Sequence, residues 1–384
     1  MSMDHFIDRR TFLASLGALT AGAPFAFRSG RPPFWPLGAA AGLPLRARAQ
    51  AKGLLYGSST LVRYLRDDKA FSARFAEECG ILVPEWELKW EVIRPAPDRF
   101  DFTAPDFLAA YAAEHTMAFR GHPLVWHESL PPWFATTVNR SNAETILRKH
   151  IATVAGRYAG KVHSWDVVNE AIDLGGGRPD SLRASPWLDF LGPDYIRIAF
   201  EAAAQADPHA LLCYNDYGIE FKWPKEQAKR AAVLELLRRL KSSNVPIQAL
   251  GIQAHLRAGD PGFSVQELAT FLRQVADLGL KILITELDAD DRALPKDPAT
   301  RDQAVAKTYE SFVSVALAEP AVIAVLTWGL SDRYTYFNKM RPRTDGAPAR
   351  PLPLDADLKP KPAYDALARA FDAAPARPGP SAQK

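Results

Sequence analysis

The feature that most constrains this chain is an alternation that repeats eight times between residues 53 and 371. Short β-rich runs, "KGLLYGSS", "CGILVPEWEL", "MAFRGHPLVWH", "KVHSWDVVNE", "ALLCYNDY", "QALGIQAHL", "KILITELD" and "AVIAVLTWGL", are separated by segments of helical spacing. "NAETILRKHIATVAGRYAG", "KEQAKRAAVLELLRRLKSS" and "SVQELATFLRQVADLG" are the clearest of these segments, and "KPAYDALARAFDAA" supplies a final helix. A strand followed each time by a helix imposes a parallel sheet, because the crossover must return the chain to the same end. Eight such units can close on themselves, so the expected fold is α/β, a single (β/α)8 TIM barrel. A composition of 47% hydrophobic and 10% aromatic residues is ample for its core. The repeat averages about 40 residues, generous for this fold, and so implies long loops.

In such a barrel the interior is packed and function sits where the strands end. The C-terminal ends of seven runs carry polar or aromatic groups. Run two leaves Glu85, Trp86, Glu87 and Lys89; run three His122, Trp126 and His127; run four Asn169 and Glu170. Run five leaves Asn215, Asp216 and Tyr217; run six Gln253 and His255; run seven Glu286 and Asp288; run eight Trp328. Taken alone, Glu170 in "SWDVVNEAI" could be a solvated strand terminus, and Glu286 in "LITELD" could pair with Lys89 or Arg257. Their positions argue for more. Runs four and seven lie three strands apart on an eight-strand ring, which sets the two acids across the mouth from each other.

Two carboxyls flanking a cleft suit hydrolysis of a glycosidic bond, one protonated to release the leaving oxygen and one ionised to attack. The charge of either raises the pKa of the other, which favours that division. His255 and Asp288 could fix Glu286 in its ionised form, as a nucleophile requires. Asn169 could hydrogen-bond a sugar hydroxyl, and Trp126, Trp328 and Tyr217 offer flat faces to sugar rings. His122, His127 and His255 lack the close spacing of common zinc sites, and no HExxH, CxxC or phosphate-cradling loop occurs. No metal and no cofactor are expected. Cys79 and Cys213 cannot form a disulfide framework and read as buried thiols.

From about Gly53 to Phe371 the chain resembles glycoside hydrolase family 10, whose members are mostly endo-β-1,4-xylanases. The resemblance rests on ordered motifs: "VPEWELKWE", "RGHPLVWHESLPPW", "WDVVNEA", "YIRIAFEAA", "NDY", "GIQAHL", "ITELD" and "WGLSD". It implies a retaining mechanism with Glu170 as acid/base and Glu286 as nucleophile. It also implies that Glu85 and Lys89 bind sugar on the glycone side, that His122, Trp126, Gln253 and Trp328 surround the reacting ring, and that His255 bonds Glu286. His127, Asn215 and Asp288 would stand behind these groups. Three positions depart from the family pattern. Trp86 stands in "PEWELKW" where the family reads P-E-N-E-M-K-W with a sugar-binding Asn. Tyr336 in "SDRYTYF" takes the place of a second Trp, and Pro123 follows His122 where Thr is usual. The implied substrate is a xylan-like polysaccharide or oligosaccharide. Another β-glycan, or a carbohydrate-binding barrel without turnover, are the alternative readings.

The first 49 residues read as a leader. Arg9 and Arg10 precede an uncharged stretch from Thr11 to Phe27, and Ala47-Arg48-Ala49 offers a cleavage site. This is a twin-arginine export pattern, implying a periplasmic or extracellular protein. The stretch is 17 residues long, rich in Ala and Gly and interrupted by Pro24, too short and weak for a lasting membrane anchor. Six of the 47 basic residues and two of the 44 acidic ones fall in the leader, leaving 41 against 42. The basic balance belongs to the leader, so no nucleic-acid partner is expected. The expected organisation is a leader at 1–49, a catalytic domain at 50–372 and a disordered tail at 373–384. The mature chain is expected to be a monomer.

Overall fold

The computed structural model describes residues 42–377. Nine strands form one sheet: β1 (Leu55–Thr60), β2 (Ile81–Pro84), β3 (Ala118–Gly121), β4 (Val162–Asn169), β5 (Leu211–Asp216), β6 (Ala249–Ile252), β7 (His255–Arg257), β8 (Lys281–Asp290) and β9 (Val322–Thr327). All pairings between them are parallel. β1 lies between β2 and β9, and β6 pairs with β8, so eight strands close into a barrel. The ninth, β7, is a short continuation of β6 that pairs with the far end of β8. The expected (β/α)8 barrel is the observed fold, each of the eight runs contributing one barrel strand.

Local chemistry accounts for the helices that enclose it. Ser264 caps the helix Val265–Asp277 by accepting the Glu267 N–H, and Leu268, Phe271, Leu272 and Val275 form its buried face. Pro224 opens Pro224–Ser242, where its missing N–H costs nothing. Inside the barrel, Ile81, Val83, Cys213, Ala249, Leu283, Ala324 and Leu326 pack together; the larger core lies between strands and helices. Gly121 ends β3 where a Cβ would fall 2.0 Å from the Trp165 ring, so only glycine admits that indole. Cys79 and Cys213 are both buried and free.

At both ends the described residues outside 50–372 make contacts with the barrel. Residues Leu45–Gln50 form a helix with Leu45 and Ala49 fully buried, whereas the leader was expected to run to 49. The Leu45 N–H donates to the buried Glu78 carboxylate at 2.8 Å. At the other end, the helix Pro362–Ala373 reaches past 372. Beyond it the Arg377 guanidinium donates to the carbonyls of Leu317, Glu319 and Val322, so the tail expected from 373 is held at least to Arg377. Arg9, Arg10 and the uncharged stretch lie outside the described residues. Among the described residues no helix is long and apolar enough to cross a membrane.

Candidate active site

Asn169 is the last residue of β4, and Glu170 turns out of the strand in a left-handed conformation, φ 57°. A non-glycine residue adopts it only where neighbours hold it. Here the Glu170 N–H donates to the Asn215 carbonyl at 2.9 Å, and the Glu170 carbonyl accepts from Arg183 Nε at 2.7 Å. The side chain is gripped at both oxygens. Oε1 accepts from Gln253 Nε2 at 3.0 Å and Asn169 Nδ2 at 3.2 Å, and Oε2 accepts from Trp126 Nε1 at 3.0 Å.

Glu286 lies within β8, its Oε1 accepting from Asn215 Nδ2 at 2.8 Å and its Oε2 facing His255 Nε2 at 3.2 Å. Asn215 Nδ2 also donates to Asn169 Oδ1 at 2.9 Å, so two amides join the carboxylates in one hydrogen-bonded chain. His255 Nδ1 meets the fully buried Asp288 carboxylate at 2.9 Å. Burial alone would push the His255 imidazolium down; the Asp288 and Glu286 carboxylates outweigh it and hold its pKa well above the ordinary value. Burial would likewise raise Glu286, but the His255 hydrogen bond and the facing charges of His122 and His255 bring its carboxyl below the usual range. Glu286 is therefore ionised at neutral pH. Neither salt bridge considered from sequence, to Lys89 or Arg257, forms: Arg257 pairs with Glu226 and Asp260.

The remaining expected residues gather on both sides. Lys89 is buried, its ammonium 4.3 Å from the centre of the Trp86 ring and 4.7 Å from that of Trp126. Burial pushes the neighbouring Glu85 carboxyl up to about 7, against the opposing Lys89 charge. His122 is oriented by Asp166 at 2.9 Å from Nδ1 and meets the edge of Trp328, ring centres 5.4 Å apart. Tyr336 reaches the same region, its ring 6.2 Å from that of His255. Tyr217 is 37% exposed, but Lys229 Nζ covers one face at 3.8 Å and Arg183 donates to its hydroxyl at 3.0 Å. One ring face is thus already taken. His127 pairs with Glu128 at 3.4 Å, meets the edge of the Trp126 ring and lines the same cavity as Glu170. Glu87 accepts the Val62 and Trp86 N–H groups and serves the backbone.

Two further residues matter that sequence reasoning passed over. Asp166 holds His122 and is held in turn by the buried Arg120. An Asp inside the apolar run "WDVVN" of a strand buried on both faces needs a charged partner, and that was a readable signal. Arg183 carries the Glu170 carbonyl from a long loop whose sequence has no period to read.

A buried carboxylate linked through amides to a second one, at the strand-end rim of a parallel barrel, is an arrangement that hydrolysis of a glycosidic bond can use. Comparison with known proteins fixes the family. Residues 44–370 match the profile of Glycosyl hydrolase family 10, and the chain belongs to that family. It is 36% identical over 336 residues to Endo-1,4-beta-xylanase 5 of Pyricularia oryzae, covering 86% of this chain and 79% of that one. It is also 36% identical over 294 residues to a Beta-1,4-xylanase of Dictyoglomus thermophilum, covering 74% of this chain and 79% of that one. Among solved structures it resembles xylanase 10B of Thermotoga petrophila in complex with xylobiose, with a TM-score of 0.79 and 30% identity over 87% of this chain and 99% of that one.

Proposed function

We propose that the chain is a secreted endo-β-1,4-xylanase that hydrolyses the xylan backbone by a retaining double displacement. The observation that carries the chemistry is the ionised Glu286, held at both oxygens by Asn215 and His255. In the first step a Glu286 oxygen attacks the anomeric carbon while Glu170 gives its proton to the departing glycosidic oxygen. The sugar is then an ester of Glu286. In the second step Glu170 takes a proton from water, the water oxygen attacks the same carbon, and Glu286 leaves as carboxylate. Glu85, Trp86 and Lys89 bind the glycone side, where a protonated Glu85 can donate to a hydroxyl. His122, Trp126, Asn169, Gln253 and Trp328 surround the reacting ring, with Tyr217 and Tyr336 at its margins. His255, Asp288 and Asn215 set the charge and direction of Glu286.

The substrate reading rests on the relatives, named as xylanases, and on the xylobiose in the Thermotoga petrophila structure. Release of reducing ends from xylan, cellulose and mannan, measured in parallel, tests it. Xylan should be cleaved in large excess over the others. Cleavage of cellulose or mannan without xylan would assign another β-glycan, and binding without release would make the chain a carbohydrate-binding barrel. Export rests on the paired Arg9 and Arg10 and the uncharged stretch after them.

A further inference from the structure

Between β6 and β7 the chain makes a break that the two carboxylates share. β6 pairs Ala249 with Lys281, and β7 pairs His255 with Asp288, so the register slips by one residue across Gln253 and Ala254. A one-residue slip reverses which face a side chain takes. Ala254, at the slip, is left-handed with φ 60°, a conformation that a Cβ disfavours. On one side of it Gln253 Nε2 donates to Glu170 Oε1 at 3.0 Å; on the other His255 Nε2 lies 3.2 Å from Glu286 Oε2. One strained alanine therefore sets the direction of a contact to each acid.

The Gln253 and Ala254 carbonyls accept the Glu286 and Asp288 N–H groups at 3.0 and 3.3 Å, and the Ala254 N–H is held by a buried side chain. Glu220, on the loop after β5, is 2% exposed. Its Oε1 accepts the Ala254 N–H at 3.0 Å and its Oε2 the Ile219 N–H at 2.7 Å. Among the described residues no Lys or Arg forms an ion pair with it, so backbone donors compensate its burial, and the like charge of Glu226 acts against its ionised form. A buried carboxylate without a cationic partner is kept only where its hydrogen bonds cannot be spared. We propose that Glu220 is a positioning residue, which pins Ala254 in the left-handed conformation and so aims Gln253 at Glu170 and His255 at Glu286. The inference rests on the assignment of Glu170 and Glu286 as the reacting pair.

The test uses a suppressor. Glycine adopts positive φ freely, so Ala254→Gly should restore what the loss of Glu220 removes if the pin is its task. Glu220→Ala should lower kcat on xylan about tenfold to a hundredfold through misdirected groups. It should also move the acidic limb of the kcat/KM profile upward, since Glu286 loses the His255 contact that lowers its pKa. Glu220→Ala/Ala254→Gly should recover most of kcat and return the limb. A double variant as impaired as the single one, or a single variant with unchanged kcat and unchanged limb, would overturn the inference. Should Glu220→Ala not fold, Glu220→Met, which keeps the length of the side chain and removes both acceptor oxygens, is read in the same way. Glu286→Gln assayed beside them separates the two claims: turnover in that variant overturns the carboxylate assignment, whereas an unsuppressed Glu220 defect overturns the pin alone.

Discussion

At position 86 an indole stands where the family pattern has an amide, and its neighbours show what the exchange does. An asparagine offers a donor and an acceptor to a sugar hydroxyl; an indole offers one N–H and a broad face. The Trp86 ring lies against the Lys89 ammonium, which also contacts Trp126, and Trp126 in turn donates to Glu170. Trp86 is thus half-buried beside the site and holds a cation there, a contact worth about 2 kcal/mol when desolvated. Trp86→Asn should change relative kcat/KM among xylo-oligosaccharides of different length by ~1–3 kcal/mol, the scale of one polar contact or stacked ring. An aryl monoxyloside, which does not extend to that position, should be nearly indifferent. Equal loss on all substrates together with a lower Tm would show that the ring is core.

The element with most to say is the helix Leu45–Gln50. Its Leu45 and Ala49 are fully buried, and Arg46 donates to the Ala76 and His115 carbonyls. Glu78, which accepts the Leu45 N–H, also accepts from the Tyr364 hydroxyl and pairs with Arg74, so this helix and the last one are tied to one carboxylate. Leu45→Ala should lower unfolding free energy by about 2.7–5 kcal/mol, the range for emptying a buried leucine site. A chain beginning at residue 43 should keep the Tm of a longer one, and a chain beginning at 51 should lose several degrees. An unchanged Tm at 51 would show that the helix adds nothing. A cut after Ala49 would divide it. The export step has its own test: Lys at both Arg9 and Arg10 should leave folded protein in the cytoplasm, because the paired arginines are the receptor-read feature. Unchanged export would assign another route.

For the molecule as a whole, the barrel was legible because strands buried on both faces read as continuous apolar runs, and each acid stood at the end of one. Glu170, Glu286 and their neighbours on seven strand ends could be placed by counting around the ring. What could not be read is what depends on pairing rather than period. The slip at Ala254 appears only when β6 and β8 are laid side by side. The Lys229 ammonium over Tyr217 joins a helix to a strand end, and Arg183 reaches Glu170 from a loop. The six-residue helix at Leu45 is too short to show a helical period, so a small-residue pattern set the boundary there. The central claim spans the whole mouth: Glu286 carries the sugar and Glu170 moves the proton. The measurement that tests it most directly is the anomeric configuration, by proton NMR, of the product formed by Glu170→Ala from an activated aryl β-xyloside in azide. With a good leaving group the sugar still reaches Glu286; azide, needing no base, then displaces it from the opposite face. The account expects the β-xylosyl azide; an α-xylosyl azide would contradict it, placing the nucleophile at position 170.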